Sequence, residues 1–223
     1  MEIKSPVKSW WKYILLFTVL LASGPTTQFI NQALRGYPLD INYLWTELSP
    51  YGILGGGLYN GNGGADWKIG KPKATIWNAG NVRSLPELRS FALELANRDR
   101  ILNNLPPLQE DPELSLAAQL HAQDMLERQY FDHISPEGKS PRERYLAVSS
   151  RPLQGVGENI VQGETKGWGL TYREAEKFQR GWMYSHGHRA TLLTEKYTKF
   201  GYGVVSGANG QIYAVQMFGF STD

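Results

Sequence analysis

The chain carries four histidines and no cysteine. Disulfides, thiolate metal sites, iron–sulfur clusters and a cysteine nucleophile are therefore excluded. The histidines are His121, His133, His186 and His188. Neutral imidazole is a common metal ligand near neutral pH, and a carboxylate between two imidazoles can orient a bound water or take its proton. His133 lies in Tyr130-Phe131-Asp132-His133-Ile134-Ser135-Pro136, Glu158 in Gly157-Glu158-Asn159-Ile160, and His188 in Ser185-His186-Gly187-His188-Arg189. Two imidazoles, one carboxylate and a water would make an open zinc site, although spacing alone does not bring the three together. Other chemistries lack their motifs: there is no His-Glu-x-x-His, no Gly-x-Ser-x-Gly, no phosphate loop and no Gly-x-Gly-x-x-Gly before a helix. His186-Gly187-His188 alone is a weak metal motif, and His121 reads as a packed mid-helix residue.

Residues 84–223 must position these groups, and they read as one α+β domain. Ser84-Leu85-Pro86-Glu87 is a capping box that opens a helix with Leu88, Phe91, Ala92, Leu95 and Ala96 on one face. Asn103-Asn104-Leu105-Pro106-Pro107 stops it. Asp111-Pro112 starts a second helix, with Leu114, Ala117, Ala118, Ala122 and Met125 inward. Ser140-Pro141-Arg142-Glu143 and Thr171-Tyr172-Arg173-Glu174 are further boxes, and His188 falls at the end of the helix begun by the last one. Strands are expected over 156–162, 200–206 and 211–218, the last two joined through Gly207-Ala208-Asn209-Gly210. Helices first and a hairpin last predict layered α+β packing.

The rest of the 223 residues carries less chemistry. With 41% hydrophobic and 20% charged residues the composition is globular. Lys4, Lys8 and Lys12 precede an apolar run from Tyr13 to Ala22, so residues 1–24 read as a signal peptide or membrane anchor. Outside that segment, basic and acidic residues balance, which argues against nucleic acid as a partner. An exported chain without cysteine points to a bacterial source. Residues 25–83 read as a spacer rich in glycine and aromatics, with eight glycines in 52–70.

The motifs also carry a resemblance. Asn97-Arg98, Leu105-Pro106-Pro107-Leu108, His121-Ala122-Gln123-Asp124-Met125, Phe131-Asp132-His133-Ile134-Ser135-Pro136, Gly157-Glu158-Asn159-Ile160, Trp182-Met183-Tyr184-Ser185 and Gly187-His188-Arg189 occur in that order. Over about 91–220 the chain resembles the CAP domain (cysteine-rich secretory proteins, antigen 5, pathogenesis-related proteins), in its bacterial, cysteine-free branch. The resemblance implies a three-layer α-β-α sandwich around a central antiparallel sheet. It also implies a cleft lined by His133, Glu158 and His188, with His133 and His188 as ligands for zinc or another divalent cation. The family's second acid falls on Ser185, which leaves one carboxylate fewer, and His186 stands where the branch often has proline. Three functions follow as expectations. The first is an extracytoplasmic module, secreted, periplasmic or anchored by its N-terminal segment, that binds a metal and an extracellular small molecule, lipid or peptide. The second is a metal-assisted hydrolase of peptide or cell-wall material with Glu158 as general base. The third is a structural envelope protein with a vestigial cleft.

Overall fold

The computed structural model describes residues 67–75, 79–165 and 169–221, all within one unit, Leu58–Asp223. The expected signal or anchor over 1–24 and most of the 25–83 spacer lie outside the described residues. Among the described residues, no helix is long and apolar enough to cross a membrane.

The elements are α1 (Leu85–Leu102), β1 (Gln109–Glu110), α2 (Pro112–Arg128), α3 (Pro141–Leu146), β2 (Gly155–Glu164), α4 (Tyr172–Tyr184), α5 (His186–Leu192), β3 (Lys199–Ser206) and β4 (Gln211–Phe220). All three capping boxes form. The backbone N–H groups of Ser84, Ser140 and Thr171 donate to Glu87, Glu143 and Glu174 at 2.8, 2.8 and 3.0 Å. At the head of α2, Asp111 accepts from the backbone of Glu113 and Leu114 at 3.0 and 2.9 Å. These bonds satisfy amides that a helix start leaves unpaired. The fourth helix does not run on to His188 as the sequence suggests. Ser185 has φ −86° and ψ 121°, an extended residue that splits it into α4 and α5.

The sheet has the order β1-β3-β4-β2. β2, β3 and β4 are antiparallel, but β1 runs parallel to β3, so the sheet is mixed and not wholly antiparallel. β1 is the short link from α1 into α2. It runs along the start of β3, with Gln109 N–H on Thr198 O at 2.9 Å and Asp111 N–H on Phe200 O at 2.8 Å.

Paired residues of antiparallel strands share a face, and neighbours along a strand alternate. Glu158 pairs with Met217 and Ile160 with Val215 on β4, whose other partners are Gly201 and Gly203 of β3. This face meets α2. Leu114, Ala117, Ala118 and Ala122 form one core cluster with Ile160, Tyr213, Val215 and Met217. A β-carbon on Gly203 would lie 2.2 Å from Gln119 N, and one on Gly201 2.2 Å from Leu114 C. Alanines on the helix and glycines on the strand thus let two backbones approach. On the opposite face Asn159 pairs with Gln216, and Gln216 reaches Gln179 of α4. Helices cover both faces, giving the expected three-layer sandwich.

The free edge of β3 is closed by side chains. Gln119 pairs with Val204 through both main-chain groups, at 3.0 and 3.1 Å, and Arg89 Nε donates to Tyr202 O at 3.0 Å. An edge capped in this way offers little template for another strand.

Residues 67–75, read above as spacer, are bonded to this domain. Ile69 is fully buried. Lys68 and Asn103 exchange two hydrogen bonds of 2.8 and 2.7 Å. Gly70 N–H donates to Asp99 and Lys73 N–H to Glu176. This segment, ahead of the boundary expected at 84, thus supplies main-chain donors to acids that α1 and α4 bury.

Candidate functional site

Glu158 organises the site. It lies on β2 at the edge of the sheet, with its side chain 1% exposed. Oε2 accepts from Arg144 Nη2 at 2.5 Å, and Oε1 lies 2.9 Å from His133 Nδ1. The pair with the guanidinium keeps the carboxylate an acceptor, so His133 holds its proton on Nδ1 and turns Nε2 outward. His133 itself is 47% exposed.

His133 sits in the loop between α2 and α3, which is closed on itself. Asp132 accepts from Ile134 N–H at 2.9 Å, and Ser135 N–H donates to Lys139 O at 3.0 Å. Arg144, from α3, also donates Nη1 to His133 O at 2.8 Å and to Lys139 O at 2.9 Å. One guanidinium thus fixes the loop and neutralises the carboxylate beneath it.

His188 comes from α5, against β2. Asn159 Nδ2 donates to its carbonyl at 3.1 Å. Burial first, then the positive charge of a protonated His133, push its pKa down to about 4, so it is neutral at neutral pH. His133 is thus bonded to Glu158, and the His188 main chain to Asn159, the next residue of β2. Ser185 lies at the turn into α5, half-buried, with a side chain that caps nothing. His186, beside it, is exposed.

The sequence reading misses a third imidazole. His121 is 1% exposed, with Nε2 3.1 Å from Asp132 O and 3.9 Å from Glu158 Oε1. Burial is the largest influence on its pKa and lowers it. Its place in phase with Ala118, Ala122 and Met125 on the buried stripe of α2 was the available signal, since a histidine there needs a polar neighbour. Arg144 both pairs with Glu158 and holds the His133 loop. Arg189 takes another course. It donates to Met183 O at 2.8 Å and lies over the Trp67 ring, 4.1 Å from its centre. Trp182 is core, with its indole N–H on Ile160 O at 3.2 Å.

A cation at this site would have at most the two imidazoles, His133 and His188, as side-chain ligands. A ligating histidine commonly gives its other ring N–H to a carboxylate, as His133 does to Glu158, and a neutral His188 is ready to ligate. Both oxygens of Glu158 are already engaged, however, and Arg144 cancels its charge. Among the described residues, no set of three or more His, Asp or Glu side chains could hold a metal ion. The same geometry withdraws Glu158 from direct contact with a ligand. Its influence runs through His133. An open groove of about 370 Å³ runs between α2 and α3, lined by apolar Ala117, Leu120 and Val148 and by charged Asp124, Glu137 and Arg144, without His133 or His188.

Known proteins share this fold. The profile of the cysteine-rich secretory protein family (CAP) matches residues 93–218. The uncharacterised protein YkwD of Bacillus subtilis (strain 168) is 35% identical over 155 residues, which are 67% of this chain and 55% of YkwD. The uncharacterised membrane protein YlbC of the same organism is 34% identical over 112 residues, 50% of this chain and 30% of YlbC. The chain therefore spans about half of the first relative and less of the second. Among solved structures, an extracellular protein containing an SCP domain from Bacillus anthracis superposes with a TM-score of 0.51 at 29% identity, over 61% of this chain and 41% of that one. An outer surface protein from Borrelia burgdorferi shares the fold, with a TM-score of 0.54 at 18% identity, over 64% of this chain and 99% of that one.

Proposed function

Since the chain belongs to the cysteine-rich secretory protein family, we propose that it is an extracytoplasmic binding module whose His133 and His188 take a divalent cation, zinc among them, together with an extracellular ligand. One observation carries this reading. A buried Glu158 holds an exposed His133 by Nδ1 at 2.9 Å and leaves Nε2 facing solvent, the arrangement that prepares an imidazole for an incoming Lewis acid. With Ser185 in place of a second acid and Arg144 against Glu158, the protein adds no net negative charge to the site. His133 and His188 would therefore hold a cation loosely and leave room for an anionic oxygen of the ligand. Export is supported by the three lysines before the apolar run and by the extracellular B. anthracis protein.

Zinc titrated into the full chain tests this by calorimetry. The expected result is a binding isotherm that H133A/H188A abolishes. An isotherm unchanged in the double variant, or none in the parent, would overturn the reading.

The hydrolytic alternative survives in a narrower form, favoured by the bond between Glu158 and His133, which is the geometry of a base and its orienter. His133 Nε2 would take the proton of an attacking water, with Glu158 behind it. Turnover of peptidoglycan or casein that fails to drop in E158Q removes that role.

A further inference from the structure

Neighbouring residues of a strand point to opposite faces, and β2 uses this at Glu158-Asn159. Glu158 reaches His133 on the α2 side. Asn159, fully buried, reaches the His188 carbonyl on the other. Behind Asn159 runs a chain of buried amides. Asn159 Nδ2 also lies 3.4 Å from Gln216 Oε1, Gln216 Nε2 donates to Gln179 Oε1 at 2.8 Å, and Gln179 Nε2 donates to Asp99 Oδ2 at 2.7 Å. Asp99 is fully buried and bonded to Arg98 as well.

The chain can point in one direction only. Asp99 ends it as a carboxylate, which accepts. Gln179 must therefore offer its NH2 to Asp99 and its oxygen to Gln216. Gln216 in turn offers its oxygen to Asn159, and Asn159 is left presenting NH2. Reversing Asn159 would set its oxygen against the His188 carbonyl, two acceptors about 3 Å apart. Asn159 Oδ1 is buried without a partner, as expected of the last member of a relay whose polarity is fixed at the far end.

We propose that Asn159 is a positioning residue for the imidazole pair: its amide, oriented by a relay from Asp99 through Gln179 and Gln216, holds the His188 carbonyl and thereby sets α5 against the His133 loop. The dipeptide Glu158-Asn159 is then a two-sided clamp, one side chain for each histidine. For its zinc arm this inference rests on the binding reading above; its structural arm does not.

The test uses the full chain and the variants N159D, which keeps the shape and removes the donor, and Q216M, which interrupts the relay. Hydrogen exchange is followed by mass spectrometry, and zinc alone is titrated by calorimetry. In N159D, exchange is expected to rise over 186–192 and to stay at the parent level in β3 and β4, with zinc bound at least about tenfold more weakly. Q216M is expected to move both readouts in the same direction by less. A folded N159D with parental exchange at 186–192 overturns the proposal, and so does loosening spread evenly over the sheet. If N159D does not fold, Q216M decides by the same two criteria. Absence of zinc binding in the parent defeats the binding reading instead, and the exchange pattern then decides the positioning role alone.

Discussion

Replacing Glu158 with glutamine keeps its size and removes the charge that Arg144 answers. Arg144 would then be a buried cation, its side chain 10% exposed, facing a neutral amide. Breaking one side of such a pair costs about 3 kcal/mol or more, whereas exchanging both partners for neutral groups is often close to neutral. Urea unfolding should therefore show E158Q strongly destabilised and the double variant E158Q/R144M partly recovered. Two single costs that simply add would mean that the pair is not coupled. The pH dependence follows from His188. Its folded pKa is lowered from 6.5 to about 4, so between these values the unfolded chain binds a proton that the folded chain refuses. Stability therefore falls as pH drops from about 6.5 to 4, and this group adds nothing further below 4. His121 is shifted in the same direction. H188N should flatten the decline without abolishing it, as read by unfolding midpoints across that range. A slope identical to the parent's would place His188 in solvent.

At the scale of elements, glycines separate positions where backbones touch from positions where they do not. G203A would drive a methyl to 2.2 Å from the backbone of α2, while a β-carbon at Gly181, within α4, meets nothing within 4 Å. The first substitution is expected to destabilise by about 3 kcal/mol. The second is expected to stabilise by roughly 0.5–1 kcal/mol, because alanine surrenders less entropy in a helix. Thermal unfolding that moves both midpoints the same way would contradict this packing. The same local rules explain what could be read in advance. The caps at Ser84, Ser140 and Thr171 act over three residues and were legible. So was the β3–β4 hairpin, whose turn closes with Gly210 at φ 82°. β1 is two residues long and exists only because β3 lies alongside, so no window of sequence announces it. The break at Ser185 is equally silent, since neither its neighbours nor its own type demands an extended residue. At the site, the link between His133 and Glu158 came from a family pattern and not from spacing. The proximity of His121 and the relay behind Asn159 depend on which faces meet after folding.

For the whole molecule the open issue is where the independently stable unit begins. Sequence composition puts the transition at 84, where the capping box opens α1, but the chemistry of the buried acids puts it earlier. Asp99 is fully buried and accepts from Gly70 N–H at 2.8 Å, besides Arg98 and Gln179. Glu176 is 5% exposed, and its Oε2 accepts from Lys73 N–H at 2.9 Å, while Oε1 takes Arg98 at 2.6 Å. Cutting the chain at 84 strips both acids of main-chain donors and uncovers the pocket that Ile69 fills. Each hydrogen bond to a charged group contributes about 1.5–3 kcal/mol and a buried isoleucine a similar amount, against a total stability of about 5–15 kcal/mol for a domain. The fragment 84–223 should thus lose several kcal/mol relative to 67–223. At a urea slope of about 2 kcal/mol per molar, its midpoint should fall by more than about 1 M, or its transition should cease to be cooperative. The loss should also reach the site. Asp99 anchors the relay to Asn159, and Trp67, which packs edge-on against Tyr184 at 5.4 Å and under Arg189, braces the turn that leads to His188. Hydrogen exchange in 84–223 should accordingly rise at 186–192 as well as in α1. If the two fragments unfold at the same urea concentration, residues 67–75 are only draped on the surface, and the boundary returns to the capping box.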